Sequence, residues 1–434
     1  MVTALTIAQS SAVAGAVSPP PIDEHRLPAA GPAAPASPTA QFATCVVAPP
    51  EPTAAAGQLT GLDLPSVWAL TRGAGQTVAV IDTGVARHRR LPHLVAGGDY
   101  VSHHDGTADC DGHGTIVAGI IGATPDSADP GGFSGVAPDV SVLSIRQSSN
   151  KFHAIDDPGA TGVGDVASLA AAVRTAADLG ATVINISTVA CVPVGAELDD
   201  QELGAALSYA VELKNVVVVA AAGNVGGPGQ CLEHNPRETP SADEVAVVVS
   251  PAWYDGLVLT VGSVGADGAP SDFSLAGPWV DVAAPGENVV SLASAGDGLA
   301  GVSPAGAPLS GTSYAAPVVS AVAAMVRARF PELTARQVMQ RIEDTAHHSS
   351  SAWNPVVGHG VVDPLAAVSG PGATSAAPSV AVPIRTATAT AAESAPLRKA
   401  IDGAAICFAL TVTVAALSAA VARLRRRVEA VSDD

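Results

Sequence analysis

The chain has 434 residues, 48% hydrophobic but only 3% aromatic, with 43 Gly, 34 Pro and a net charge of −19. That length accommodates one large domain with appendages, and a composition built on Ala, Val and Gly suits a tightly packed α/β core. So acidic a balance excludes nucleic acid as a partner, since phosphate binding needs Lys and Arg clustered on one face; it reads as a solubility feature.

Residues 1–17 are apolar and end in small residues, as a signal peptide does, although the basic n-region is missing. Cleavage is expected near Ala16. Residues 18–60 are rich in Pro and Ala, a composition that resists regular structure. They carry Cys45, which can staple the segment to the domain that follows.

Over residues 61–365, apolar runs alternate with helical stretches of small residues. QTVAVIDTG, VSVLSI at 140–145, ATVINIS at 181–187, NVVVVAAAGN at 215–224, LVLTVGSV and WVDVAAPG read as strands. SLAAAVRTAADLG reads as a helix between two of them. Wholly apolar strands alternating with helices predict an α/β fold with a doubly wound, mostly parallel sheet and helices on both faces. Sites in such sheets gather at the carboxyl ends of the strands. QSSNKFHAIDDPGATGVGD, at 147–165, reads as an inserted surface loop, either partner-facing or mere decoration.

Residues 366–400 are an Ala, Thr, Ser and Pro linker. GAAICFALTVTVAALSAAVA, at 403–422, carries no charge and is long enough for one membrane-spanning helix. Arg423, Arg425, Arg426 and Arg427 open the tail 423–434. They predict a cytoplasmic tail and a protein body on the far side of the membrane.

Five cysteines are present: Cys45, Cys110, Cys191, Cys231 and Cys407. The first four fit two disulfides in an oxidising compartment, and their spacing is wrong for zinc.

Polar residues interrupt the apolar pattern at three places. Asp82 ends the first strand in IDTGV; His113 sits between glycines in DGHGTIVAGIIG; Ser313 opens a long helical stretch in GTSYAAP. Taken singly, each has an ordinary structural reading, as a turn Asp, a helix-start His and a helix cap. Together they give the order Asp, His, Ser, which is that of subtilisin-type enzymes. With a fourth match, AAAGN ending at Asn224, the chain resembles the subtilisin-like serine proteases, or subtilases, over roughly residues 60–365.

The resemblance implies serine endopeptidase activity on protein or peptide substrates through an acyl-enzyme. Ser313 is a weak nucleophile that needs a base. His113 can take its proton and return it to the leaving amine. Asp82 would fix the imidazole tautomer, and Asn224 would donate to the oxyanion beside the Ser313 N–H. The N-terminus of a helix suits developing negative charge. Pro317 cannot donate to the Ser313 carbonyl, so an irregular first turn is expected there. By the same resemblance, Ser187, Thr188 and Val189 form a substrate-binding edge after VINIS; the family often has glycine where Val189 stands. Asn185 reads equally well as a structural strand-end residue.

The Pro-rich extension, a cysteine pair able to tether it and one C-terminal span with a basic tail resemble the mycosins. These are membrane-anchored subtilases of actinobacterial type VII secretion systems. That resemblance implies disulfides Cys45–Cys110 and Cys191–Cys231, with Cys407 free. It also implies an extension that wraps the domain without acting as a removable inhibitor, secretion-complex components as partners, and a second role in stabilising that complex. No metal or cofactor is expected. His103, His104, Asp105, Asp109, Asp111 and His113 lie close together but match no zinc-ligand spacing, and no calcium loop is recognisable.

Overall fold

Seven runs of β-branched and small apolar residues pair into the central sheet: β1 Thr77–Asp82, β2 Leu94–Asp99, β3 Ser141–Arg146, β4 Val183–Ile186, β5 Val217–Ala221, β6 Leu259–Val264 and β7 Val282–Pro285. The computed structural model describes residues 17–47, 57–128, 132–227, 230–238, 244–347 and 353–370. Strand order is β7-β6-β5-β4-β1-β3-β2, and every pairing is parallel. The chain leaves β1 towards one edge and β4 towards the other. Crossovers that diverge in this way open a crevice at the carboxyl ends of β1 and β4.

The strands are apolar on both faces because both faces are covered. β4, β5, β6 and β7 are buried throughout. Helices α1 (His113–Gly122) and α4 (Thr312–Arg329) pack against each other and the sheet, and α2 (Val166–Asp178) and α3 (Gln201–Ser208) form the second helix pair. Every residue of α4 from Thr312 to Val326 is buried, as an all-round apolar helix requires. The helix α5 (Ala335–Asp344) closes the core beside α4. Helix α2 begins at a capping box, in which the Asp165 carboxylate accepts from Ser168 N–H at 2.7 Å. One strand, β2, escapes the hydropathy pattern. It is an edge strand, partly exposed, with Gly97 and Gly98 at a register shift.

The extension lies across the domain. Arg26 pairs with Asp199 at 3.2 Å, and Arg174 donates to the Pro28 carbonyl at 2.9 Å. Thr39–Gln41 pairs antiparallel with Phe152–Ala154 of the 147–165 insertion. That insertion is thus partly strand, with a further bridge between Ser149 and Val163, and the buried Arg146 stacks on Phe152. Disulfides join Cys45 to Cys110 and Cys191 to Cys231. The expected signal segment up to residue 16, the linker from 371, Cys407, the apolar run 403–422 and the tail 423–434 lie outside the described residues. Among the described residues no helix is long and apolar enough to cross a membrane.

A three-residue strand pair is a weak fastening by itself, so the Cys45–Cys110 bond should carry the extension. It spans a sequence separation of 65, for which chain entropy suggests about 4 kcal/mol. The Cys45→Ser/Cys110→Ser protein is expected to lose roughly 2–4 kcal/mol in a denaturant titration and to become cleavable by trypsin after Arg26. An unchanged midpoint with Arg26 still protected would show that the non-covalent contacts suffice.

Candidate active site

Asp82 is the last residue of β1, and none of it is exposed. Its Oδ1 accepts from Thr83 N–H at 2.7 Å and meets His113 Nδ1 at 2.8 Å. His113 is the first residue of α1, and its Nε2 lies 3.0 Å from Ser313 Oγ. Ser313 is the second residue of α4 and is 8% exposed. A carboxylate can only accept, so the imidazole proton belongs on Nδ1, which leaves Nε2 to receive the Ser313 proton. The two glycines beside His113 are needed. Gly112 turns the chain into the helix at φ 83°. A Cβ on Gly114 would strike the Gly84 carbonyl and stand 3.2 Å from Asp82 Cβ.

Sequence reasoning gave Asp109 no part beyond a dismissed metal cluster. In the fold it organises the loop before α1. Its carboxylate accepts from Gly112 N–H at 2.7 Å, Thr115 N–H at 2.8 Å, Thr115 Oγ at 2.7 Å and Thr83 Oγ at 2.9 Å. Thr83 Oγ in turn accepts from Gly114 N–H at 3.0 Å. One carboxylate therefore fixes the ends of both β1 and α1. Burial pushes it up to about 6 against the pull of these donors. Asp111 is likewise engaged, accepting from Ser149 Oγ at 2.5 Å and Asn150 N–H at 2.8 Å.

Asn224 follows β5. Its Oδ1 accepts from Thr312 N–H at 2.9 Å and Thr312 Oγ at 3.0 Å, which fixes the amide. Its Nδ2 makes no bond among the described residues, and Asn224 lines the same cleft as His113 and Ser313. That leaves an unengaged amide donor on a residue of the cleft that Ser313 also lines.

The cleft has a volume of about 880 Å³. Ser187, Thr188 and Val189 all line it, as do residues 161–165 of the insertion and Val46 of the extension. Ser187 is 7% exposed and its hydroxyl is turned inward, onto the Ser313 carbonyl at 3.0 Å. Thr188 Oγ1 is buried without a hydrogen bond among the described residues. Each disulfide ends beside this constellation. Cys110 stands in the loop before His113, Cys191 follows the 187–189 edge, and Cys231 N–H donates to the Asn224 carbonyl at 2.8 Å.

Burial alone would push the His113 imidazole down. The charge and hydrogen bond of Asp82, with the charges of Asp109 and Asp111, outweigh burial and hold it above its ordinary 6.5. Protonated His113 cannot accept from Ser313, so peptide hydrolysis should fall as pH drops through that raised value. The acid limb of kcat/KM is expected above 6.5, and Asp111→Asn, which removes one raising charge, should move it to lower pH. A limb at or below 6.5, or no movement in the variant, would contradict this balance. Asn224→Ala should lower kcat on the order of 10²–10³-fold with KM little changed; the magnitude is that known for the corresponding loss in subtilisin. An unchanged kcat would remove Asn224 from the oxyanion site.

The family model described as the Subtilase family matches residues 73–360. Mycosin-4 of Mycobacterium tuberculosis is 58% identical over 431 residues, covering 95% of this chain and 93% of that protein. The solved MycP3 protease from the type VII (ESX-3) secretion system is 46% identical with a TM-score of 0.74, covering 81% of this chain and 100% of that one. A chain in the structure of an intact ESX-5 inner membrane complex is 40% identical with a TM-score of 0.76, covering 82% of this chain and 88% of that one. Motif order, sheet topology and near full-length identity agree: the chain belongs to the subtilases, serine endopeptidases, and within them to the mycosins.

Proposed function

We propose that Asp82, His113 and Ser313 are the catalytic residues and that they cleave exported protein substrates of a type VII secretion system. The observation that carries this reading is the continuous contact from Asp82 Oδ1 through His113 to Ser313 Oγ, at 2.8 and 3.0 Å, inside a cleft large enough for a peptide. His113 Nε2 takes the Ser313 proton as Oγ adds to the scissile carbonyl. The oxyanion is received by the Ser313 N–H and Asn224 Nδ2. His113 protonates the departing amine, and water then releases the acyl group by the reverse proton route. The 187–189 edge pairs with the extended substrate.

The domain is exported. Residues 1–17 act as signal, 18–60 as an extension packed on the peptidase domain 61–365, and 366–400 as linker. The run 403–422 spans the membrane with the tail 423–434 in the cytoplasm. Two disulfides fit the oxidising side of that membrane. A second reading, that the chain chiefly stabilises the secretion complex, is favoured by the extension bound along the surface and by the relative found in an intact ESX-5 inner membrane complex.

The test is complementation of a deletion strain with wild type or Ser313→Ala, scoring substrate export and substrate processing separately. We expect Ser313→Ala to abolish processing while reaching the membrane in normal amount. Export restored by the variant assigns the complex-stabilising role to the fold rather than to catalysis. Processing that survives Ser313→Ala would overturn the catalytic reading, and rapid cleavage of unrelated unfolded proteins by wild type would favour general degradation.

A further inference from the structure

In a regular helix the Ser313 carbonyl would accept the N–H of residue 317. Pro317 has no N–H, yet α4 runs through it without a break. The Ser313 carbonyl takes a side-chain donor instead: Ser187 Oγ donates to it at 3.0 Å. Ser187 Oγ in turn accepts from Asn185 Nδ2 at 2.8 Å, and Asn185 Oδ1 accepts from Ser320 Oγ at 2.9 Å. Asn185 and Ser320 are wholly buried. A serine inside a helix ordinarily bonds back to its own preceding turn. Ser320 instead points across to β4. The series starts on α4, crosses the end of β4 and returns to α4 seven residues earlier, at Ser313.

We propose that Ser320, Asn185 and Ser187 form a positioning relay for the Ser313 backbone. Their side chains act through Ser313 and bond to one another and to its carbonyl, not to substrate or the reacting atoms. By fixing the Ser313 carbonyl they set the peptide plane that follows Ser313 and the Cα from which Oγ reaches His113. By anchoring at 185 and 187 they lock that Cα to the strand end that continues into the 187–189 edge. The bound peptide and Ser313 thereby keep a constant separation. Displacements of about 1 Å in such geometry cost on the order of a hundredfold in rate. The proposal rests on Ser313 being the nucleophile.

A purely structural role, satisfying buried polar groups, would lower stability and leave rates alone. A purely substrate-facing role for Ser187 would raise KM alone. The test measures three quantities: the second-order rate of Ser313 modification by diisopropyl fluorophosphate, too small to reach along the edge; kcat and KM on a peptide; and the melting temperature. The variants are Ser187→Ala, Ser187→Thr, Asn185→Ala, Ser320→Ala and the Ser187→Ala/Asn185→Ala pair.

The relay predicts that Ser187→Ala and Asn185→Ala slow modification and kcat together by about ten- to a hundredfold, with KM little changed. Ser320→Ala slows both in the same direction but less, and Ser187→Thr, which keeps the hydroxyl, recovers most of the rate. The double variant is no slower than its slower parent, because the series is already cut. Unchanged modification rates in folded Ser187→Ala and Ser320→Ala overturn the relay, whether KM rises or only the melting temperature falls. Wild type that takes no label, or Ser313→Ala that takes the same label, overturns the nucleophile assignment underneath it. Those outcomes are distinct from a relay failure, in which wild type is labelled and the variants match it.

Discussion

A carboxylate with no exposure at the end of a parallel strand is the constraint on which the cleft depends. Left alone, an ionised Asp82 would be costly by several kcal/mol. It is tolerated because Thr83 N–H and the His113 ring both point at one of its oxygens. That need dictates much of the surrounding chain. His113 must enter at the very start of α1, so the loop before it is pinned by Asp109 to Thr83, Gly112 and Thr115. Gly114 must lie against the Gly84 carbonyl, so no side chain is tolerated there. Once the ring is held by Nδ1, Nε2 has only one direction to face, and Ser313 is there.

The other half of the cleft is built around α4. An all-buried helix supplies a rigid axis, and its first turn has three separate attachments. Thr312 is held by Asn224 Oδ1, and Thr312 Oγ accepts from Gly223 N–H at 3.2 Å. The Ser313 carbonyl is held by Ser187. Proline at 317 makes the last attachment necessary, since a backbone donor would otherwise have occupied that carbonyl. The strands β4 and β5 therefore contribute side chains just beyond their carboxyl ends to the same helix turn, as the reversal of crossovers in this sheet arranges.

Much of this was legible in the sequence. Apolar runs such as VVVVAAA announce buried parallel strands because they lack alternation, and Asp82, His113 and Ser313 stand out as polar residues where the pattern demands apolar ones; Asn224 was found through the AAAGN motif. What escaped has physical reasons. The strand at Leu94–Asp99 lies at the sheet edge and carries two glycines, so it shows neither apolar continuity nor β propensity. The role of Asp109 depends on four donors from three segments, which no linear spacing reveals. The insertion at 147–165 reads as a loop because only three of its residues are strand, and their partner is a Pro-rich extension more than a hundred residues earlier in the chain. Ser187 was read only as a candidate for a substrate edge; that its hydroxyl turns inward, onto the Ser313 carbonyl that Pro317 leaves without a backbone donor, is visible only in three dimensions.

The central claim is that Ser313, activated through His113 and Asp82, carries the acyl group during peptide-bond hydrolysis. Its most direct test is rapid mixing with an activated ester, acid quenching and mass spectrometry of the digested protein. The account predicts a burst of leaving group and an acyl mass on the peptide containing Ser313, both absent in Ser313→Ala. Turnover of the ester with no burst and no acylated peptide, or an acyl group on any other residue, would contradict it.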